Sequence, residues 1–240
     1  MPEPFRFKQF DINQDRCSMK IGTDGVLLGA WLSPKKEPES VLDIGTGTGL
    51  IGLMAAQRFP NAIINAVEID QDSYEQASNN FKNSSWSNRL HCFHSSFQNF
   101  VPIQKQKYDL IISNPPFFAN GQKSHNQKRN QARFEDALPF ENLLEGVASL
   151  LLLDGLFALI VPYDQEAKLL AIARKYNLYP SKITHVKGNC DALIKRSLIT
   201  LHFKSSEDFR HKKTEITLEK ERHVYTEEFK SIAQDFYLHM

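Results

Sequence analysis

The sequence has few cysteines and no long apolar run, and each shortage argues against a class of protein. Three cysteines, Cys17, Cys92 and Cys190, stand far apart in 240 residues with no Cys-x-x-Cys pair. This odd and scattered set argues against a disulfide framework and favours reduced thiols in a cytoplasmic protein. No stretch approaches the roughly 20 apolar residues of a membrane span. The opening residues 1–4 also have no apolar core of signal-peptide length, so we expect no membrane association.

Net charge and metal-ligand clusters are scarce as well. The formal net charge is only +1, so contact with a nucleic acid would depend on local patches of positive charge. The pair His91 and His94 has the spacing of metal ligands, but no third or fourth ligand is near it in the sequence. We therefore interpret the pair as a polar strand edge and expect no metal site.

A glycine-dense turn follows the apolar strand at 41–44. The sequence there is Asp43-Ile44-Gly45-Thr46-Gly47-Thr48-Gly49, and a helical pattern begins directly afterwards. Glycine lets a ligand approach the backbone, and the free N–H groups of a helix start point back at the turn. Gly47, Gly49 and Gly52 also satisfy the G-x-G-x-x-G fingerprint of dinucleotide sites. No Gly-Lys-Ser/Thr ending is present, which excludes a Walker-type phosphate loop but leaves a nicotinamide enzyme open.

Glu68 ends the next apolar strand, at 62–68. A carboxylate at this position, beside the first strand, can accept hydrogen bonds from both ribose hydroxyls of an adenosyl ligand. A solvated charge at a strand end is the simpler alternative. The glycine turn just upstream favours the ribose role.

Asn114-Pro115-Pro116-Phe117-Phe118 follows the apolar run at 110–112. Because proline cannot donate to a sheet ladder, the strand must stop here and Asn114 is held at its carboxyl end. An amide offers one acceptor and two donors, and an aromatic face stacks on planar groups. The motif therefore suits a planar group that carries an NH2, such as adenine.

The wider pattern alternates strands and helices, which predicts a mostly parallel sheet with right-handed crossovers and ligands at the carboxyl ends of its strands. The predicted strands lie at 5–12, 41–44, 62–68, 89–94, 108–113, 156–161, 181–187 and 195–204. The predicted helices run from Thr23 or Asp24, as the cap, to Trp31, from 49, from 71, from 139 to 153 with Gly155 ending it, and from 165 to 176.

Together these motifs resemble class I S-adenosylmethionine-dependent methyltransferases of the branch that methylates exocyclic amino groups. The chain is more narrowly similar to the bacterial tRNA1(Val) adenine-N6 methyltransferases, which modify the adenine 3′ of the anticodon. The narrower resemblance is carried by 5–10 with 19–31, by 129–133, and by 225–229 with 235–238.

The resemblance implies a Rossmann-like α/β fold with a mostly parallel seven-stranded sheet and helices on both faces. Residues 1–40 would form an N-terminal strand and a helix covering the cofactor, 41–204 the methyltransferase core, and 205–240 an extension packed on that core. The implied catalytic residues are Asn114, Pro115, Pro116 and Phe117. The implied cofactor-binding residues are Lys20, Thr23, Asp43, Gly45, Gly47, Gly49, Glu68, Ile69, Ser96, Phe97 and Asn114.

One departure from the family pattern lies after the third core strand. Many of these enzymes carry an acidic residue there that accepts a hydrogen bond from the cofactor's adenine amino group. This sequence has His94-Ser95-Ser96-Phe97-Gln98 instead. A serine hydroxyl is a weaker acceptor for the same bond, and Phe97 could pack on the adenine.

The segment 117–134 is a long polar loop, and no acidic residue occurs between Leu110 and Phe134. Such loops are usually functional or disordered, and positive side chains attract phosphates. We predict RNA contacts here, with an ordinary solvated loop as the alternative, from Lys123, Lys128, Arg129 and Arg133. For a second basic set, at 210–213 with Lys220 and Arg222, a solvated face is as good an interpretation as RNA contact.

Five functions remain to be separated. Methylation of an adenine in the anticodon loop of a tRNA is favoured. An rRNA guanine or a protein glutamine also presents an NH2 to the same motif. A nicotinamide oxidoreductase would not explain Asn-Pro-Pro-Phe, and a non-catalytic RNA-binding module would not need an intact glycine turn.

The cofactor is the first testable point. S-adenosylmethionine, or its demethylated product, should raise the melting temperature of the protein by mass action, whereas NAD should not. Gly47→Val should abolish the shift because its side chain blocks approach to the backbone. A thermal shift with NAD alone would sink the methyltransferase interpretation.

Overall fold

A computed structural model describes residues 3–17, 19–116, 138–203 and 212–240. The strands are β1 (Phe5–Arg6), β2 (Asp11–Ile12), β3 (Ser40–Ile44), β4 (Ile63–Glu68), β5 (Leu90–His94), β6 (Tyr108–Ser113), β7 (Leu151–Pro162), β8 (Tyr179–Lys187), β9 (Ile194–His202), β10 (Lys212–Thr217), β11 (Glu219–Glu221) and β12 (Val224–Tyr225). The helices are α1 (Thr23–Trp31), α2 (Leu50–Arg58), α3 (Gln71–Lys82), α4 (Phe97–Ile103), α5 (Phe140–Leu150), α6 (Glu166–Lys175) and α7 (Glu227–Ala233).

The central sheet has the strand order β10-β8-β9-β7-β6-β3-β4-β5. Strands β5, β4, β3, β6 and β7 are parallel, and β9 runs antiparallel between β7 and β8. The predicted Rossmann-like arrangement is confirmed. From 41 to 113 the predicted strand limits and helix starts lie within one residue of the observed ones.

The sheet has eight strands in the described chain, where seven were predicted. The added strand is β10, which pairs in parallel with β8 from Lys212 opposite Lys182 onwards. Its sequence, Lys-Lys-Thr-Glu-Ile-Thr, buries only Ile216. A polar and lysine-rich strand of this kind is typical of a sheet edge, where charge opposes pairing with other chains.

The two faces of the sheet carry separate apolar clusters. Leu110 and Ile112 of β6 pack on the side of α1 and α2, whereas Ile111 packs on the side of α4, α5 and α6. All three side chains are fully buried. Burial on both faces explains why parallel strands appear in the sequence as continuous apolar runs. In the described chain, no helix is both long and apolar enough to cross a membrane.

The predicted helix from 139 to 153 is too long. The observed helix ends at Leu150, and β7 begins at Leu151, so Gly155 lies within a strand. Between Tyr108 and Leu110 the partners on β7 jump from Leu151 to Leu156, which marks a bulge. A Cβ at Gly155 would lie 2.9 Å from the Leu152 carbonyl oxygen. Glycine is required here by the bulge and does not end a helix.

Two N-terminal predictions also differ from the structure. The predicted strand at 5–12 is a small hairpin, in which Phe5 pairs with Ile12. Helix α1 is preceded by Gly22 and has no side-chain cap, so neither Thr23 nor Asp24 caps it. The Asp24 carboxylate instead accepts a hydrogen bond from Arg196 Nε at 2.7 Å, and this ion pair ties the start of α1 to β9.

Candidate active site

The glycine turn between β3 and α2 has a backbone that requires glycine. Gly45, Gly47 and Gly49 have φ angles of 69°, 58° and 84°. A Cβ at Gly49 would lie 2.6 Å from the ring of Phe81, so this residue lets the turn pack on α3. At Gly45 and Gly47 a Cβ would meet nothing within 4 Å. These two glycines therefore border open space that a ligand can enter.

Asp43 of β3 stabilises the glycine turn by hydrogen bonds. Its side chain is fully buried, and Oδ2 accepts hydrogen bonds from Thr46 Oγ1 at 2.6 Å and from the Gly52 N–H at 3.1 Å. The other oxygen, Oδ1, is buried without a hydrogen-bond partner in the described chain. Burial raises the pKa of Asp43 from its ordinary 3.8 to about 6. An unsatisfied buried oxygen beside the turn is an acceptor that a bound ligand can use.

Glu68 is the last residue of β4 and lies beside the glycine turn. Its Oε2 accepts from the Gly47 N–H at 2.8 Å, and its Oε1 accepts from the N–H groups of Ile69 and Asp70 at 2.9 and 3.0 Å. Burial raises its pKa, while these three backbone bonds lower it. Because a carboxylate offers about four lone-pair sites, one further hydroxyl can bind without displacing a backbone partner.

After β5, the side chains of Ser96 and Phe97 do not have the roles predicted for them. Ser96 caps α4, with Oγ accepting from the Asn99 N–H at 3.2 Å. Phe97 is only 5% exposed and packs against Gly146 in the apolar cluster beneath α5. The ring is therefore not placed to pack on an adenine. Ile69, 41% exposed at the end of β4, offers an open apolar surface instead.

Asn114 lies at the carboxyl end of β6, where its neighbour Ser113 donates a hydrogen bond to the Ile44 carbonyl at 3.0 Å. Asn114 is half-buried, Pro115 is buried and Pro116 is exposed. The ideal position of a Cβ at Gly25, in α1, is 4.0 Å from Asn114 Nδ2 and 3.0 Å from Leu50. Gly25 thus allows α1 to cross close to Asn114.

Sequence reasoning missed Gly25, although a glycine inside a helical pattern is a signal of close packing. It also missed Asn80 of α3, which is 2% exposed. The Asn80 amide donates to the carbonyls of Asn13 and Thr48 at 2.9 and 2.8 Å and accepts from the Asn13 N–H. Asn80 therefore ties the segment before α1 to the glycine turn. No local pattern in the sequence indicates such a contact.

The sheet brings three of the predicted elements together. Ile44 pairs with Val67 and with Ser113, so the glycine turn, Glu68 and Asn114 follow neighbouring parallel strands at one edge. Lys20 and Thr23 are exposed near the start of α1. Other predicted site residues lie outside the described residues: Phe117, Lys123, Lys128, Arg129 and Arg133.

His91 and His94 are not part of a metal cluster in the described chain, where no three His, Cys, Asp or Glu side chains are grouped for one. His94 Nε2 lies 3.0 Å from the Ile69 carbonyl oxygen, and its ring stacks on Tyr74 at 5.2 Å. The imidazole thus supports the turn after β4.

The raised pKa of Asp43 predicts a pH dependence of stability. The folded state favours the protonated carboxyl, so this stabilisation is fully present below pH 4 and is lost as the pH rises through 6. A shift of about two pKa units corresponds to roughly 3 kcal/mol of unfolding free energy. Between pH 4 and pH 7, the free energy of unfolding measured in urea should therefore fall by about this amount more in the wild type than in Asp43→Asn. The control Asp72→Asn, at an exposed site on α3, should show the same dependence of unfolding free energy on pH as the wild type. If the wild type and Asp43→Asn show parallel pH dependences, burial does not raise the pKa of Asp43.

Comparison with known proteins shows the fold and the family of this chain. Residues 20–137 match the family model of the methyltransferase small domain. A solved structure, a predicted O-methyltransferase from Agrobacterium tumefaciens, is similar with a TM-score of 0.67 at 18% identity, covering 89% of this chain and 96% of that one, and it shows the fold.

Two full-length relatives are much closer in sequence. A protein of Christiangramia forsetii is 54% identical over 238 residues, covering 98% of both chains. A protein of Flavobacterium johnsoniae is 48% identical over 236 residues, covering 98% of this chain and 100% of the relative. Both carry the name tRNA1(Val) (adenine(37)-N6)-methyltransferase. The chain therefore belongs to the tRNA1(Val) (adenine(37)-N6)-methyltransferase family, within the class I methyltransferase fold.

Proposed function

We propose that this protein transfers the methyl group of S-adenosylmethionine to N6 of adenine 37 in tRNA1(Val). The observation that carries the proposal is the position of Asn114, at the end of β6 and beside the glycine turn that follows β3. This arrangement lets one acceptor face the reacting amino group while the turn holds the methyl donor. The names and the identity of the full-length relatives support this substrate. A tRNA substrate also favours the cytoplasm as the location.

The residues around the turn fit an adenosyl cofactor. Gly45 and Gly47 border open space, Asp43 has an unsatisfied buried oxygen, and Glu68 has a free acceptor site for a ribose hydroxyl. When bound, the cofactor supplies an electrophilic methyl group on a sulfonium. We propose that it is contacted by Lys20, Thr23, Asp43, Gly45, Gly47, Gly49, Glu68, Ile69, Ser96, Phe97 and Asn114. Because Ser96 caps α4 and Phe97 is buried, these two would contribute mainly through their backbone.

Catalysis in this proposal depends on positioning. The Asn114 side-chain oxygen and the Pro115 carbonyl accept hydrogen bonds from the exocyclic amino group, which orients the nitrogen lone pair towards the methyl group. In-line alignment lowers the entropic part of the barrier, and both acceptors favour the positive charge that develops on the nitrogen. A proton leaves after transfer, so no strong base is needed beforehand. Pro116 stiffens the turn, and Phe117 stacks on the adenine.

The RNA would be held by side chains around this turn. An adenine in the anticodon loop is already outside a duplex, so its extrusion costs less than it would from a helix. We propose phosphate contacts from Lys123, Lys128, Arg129 and Arg133, which carry positive charge in an acid-free stretch of sequence. In domain terms, 1–40 would cover the cofactor, 41–204 would be the catalytic core, and 205–240 would be an extension packed on it.

Substitution of Asn114 tests the catalytic assignment. Asn114→Ala removes an acceptor used in the transition state, so the single-turnover rate should fall about a hundredfold or more. Asn114 is one of eleven proposed cofactor contacts, so the thermal shift caused by S-adenosylhomocysteine should fall only slightly. Asn99→Ala, an exposed asparagine on α4, is the matched control and should keep the wild-type rate. Near-normal turnover by Asn114→Ala would show that the catalytic turn is wrongly assigned.

The substrate is tested by identifying the methylated product. The protein is incubated with labelled S-adenosylmethionine and, separately, with tRNA, rRNA and protein fractions from cells that lack the enzyme. Digestion of the tRNA should yield labelled N6-methyladenosine, and a purified tRNA1(Val) transcript should take up one methyl group. Methylguanosine from rRNA, or methylglutamine from protein, would overturn the proposed substrate without affecting the fold or the cofactor.

A further inference from the structure

An exposed tyrosine follows the end of β7. Tyr163 comes directly after Pro162, begins the short turn Tyr163–Gln165 that leads into α6, and is 45% exposed. Its ring meets the imidazole of His185 edge-on, with centroids 5.0 Å apart and planes at 85°. An edge-to-face contact fixes the orientation of the Tyr163 ring, and nearly half of the residue remains exposed.

A buried network holds His185 in place. Its Nε2 lies 2.9 Å from Oε2 of Glu166, and Ser197 Oγ donates to the same oxygen at 2.5 Å. Glu166 is 9% exposed and Ser197 is fully buried. The hydrogen bonds come from β8, β9 and the start of α6, so the support beneath Tyr163 is rigid. The proposed transfer reaction gives this network no role.

Sheet register places Tyr163 at the same edge of the sheet as the proposed base pocket. Leu159 of β7 lies opposite Ser113, the residue before Asn114, and Tyr163 is four residues further along. The Tyr163 ring meets His185 of β8, which is two strands from β7 on the side away from β6. With about 3.3 Å per residue along a strand and about 4.8 Å between strands, the ring lies roughly 15–20 Å from Asn114. Because stacked nucleotides rise about 3.4 Å each, this distance corresponds to about five nucleotides.

An exposed lysine lies on the neighbouring strand β9. Pro162 pairs with Arg196, and continuing this register by one residue places the backbone of Lys195 opposite that of Tyr163. Side chains alternate along a strand, and Lys195 therefore shares the face of Ser197, while Arg196 points to the other face and pairs with Asp24. Lys195 is exposed and forms no ion pair with another described residue.

We infer that Tyr163 is a stacking platform for a second nucleotide of the tRNA loop that contains the target adenine, with Lys195 contacting the adjacent phosphate. The inference rests on the proposed function. An exposed aromatic ring near a lysine is the combination that binds single-stranded nucleic acid, in which every base offers a face for stacking. A ring already fixed by His185 loses little conformational entropy on binding, so its orientation favours affinity.

The inference is tested by measuring the Kd for an unmodified tRNA1(Val) transcript, by fluorescence anisotropy, together with the rate of methylation. Tyr163→Ala should raise the Kd about tenfold or more, whereas Tyr163→Phe, which keeps the ring, should bind like wild type. Lys195→Ala should raise the Kd less and should lower the slope of log Kd against log salt by about one. His185→Ala, which frees the Tyr163 ring, should raise the Kd by an intermediate amount.

Two controls separate this inference from general damage. The Tyr163 and Lys195 variants should keep the wild-type melting temperature within a few degrees, whereas His185→Ala should lower it because it removes a partner of the buried Glu166. All variants should keep the full thermal shift with S-adenosylhomocysteine. Leu153→Ala, a 76% exposed site at the opposite end of β7, should bind tRNA normally. If wild type methylates the transcript and Tyr163→Ala binds it equally well, the platform is wrong. If wild type binds S-adenosylhomocysteine but not the transcript, the proposed substrate is wrong and the platform falls with it.

Discussion

The site depends on two buried carboxylates that hold one glycine turn. Asp43 binds the turn through Thr46 and Gly52, and Glu68 binds it through the Gly47 N–H. The positive φ angles at the three turn glycines are possible because these residues lack a Cβ, and the carboxylates keep that backbone in a single conformation. Both groups have raised pKa values because they are buried, so desolvation has a cost that the backbone hydrogen bonds offset in part. What results is a preformed turn with open space at Gly45 and Gly47 and with carboxylate acceptors beside it.

Much of this arrangement could be predicted from sequence because the signals are local. Apolar runs that end in Gly45, in Glu68 and in Asn114 mark three buried strands, and parallel strands must end at the same edge. The Asp43 role was predicted only in part, since its hydrogen bonds to Thr46 and Gly52 require the folded turn. The predicted position of the Phe97 side chain was at the cofactor, but the structure places it in the core. An apolar residue after a strand is compatible with either position, so the sequence alone does not decide between them.

Other features could not be predicted, because what defines them lies far away in sequence. Strand β10 is polar and takes its place only by pairing with β8. In the sequence Gly155 has the pattern of a residue that ends a helix, and only the bulge opposite Tyr108–Leu110 in the sheet explains it. The close approach of Gly25 to Asn114 and the hydrogen bond from Asn80 to Asn13 each join segments distant in the chain. Local propensity carries no information about such pairs, whereas tertiary packing determines them.

Helix α1 joins the cofactor side of the site to the proposed RNA side. At Gly25 it packs on Leu50, which begins the helix after the glycine turn. At Asp24 it is paired with Arg196 of β9, and at Trp31 its indole N–H donates to Thr184 of β8 at 3.1 Å. Strands β8 and β9, which carry His185 and Lys195, are therefore attached to the helix that crosses Asn114. In the proposed complex, one rigid frame would position a base stacked on Tyr163 and an amino group held at Asn114, and the sheet rather than the loops would set the distance between them.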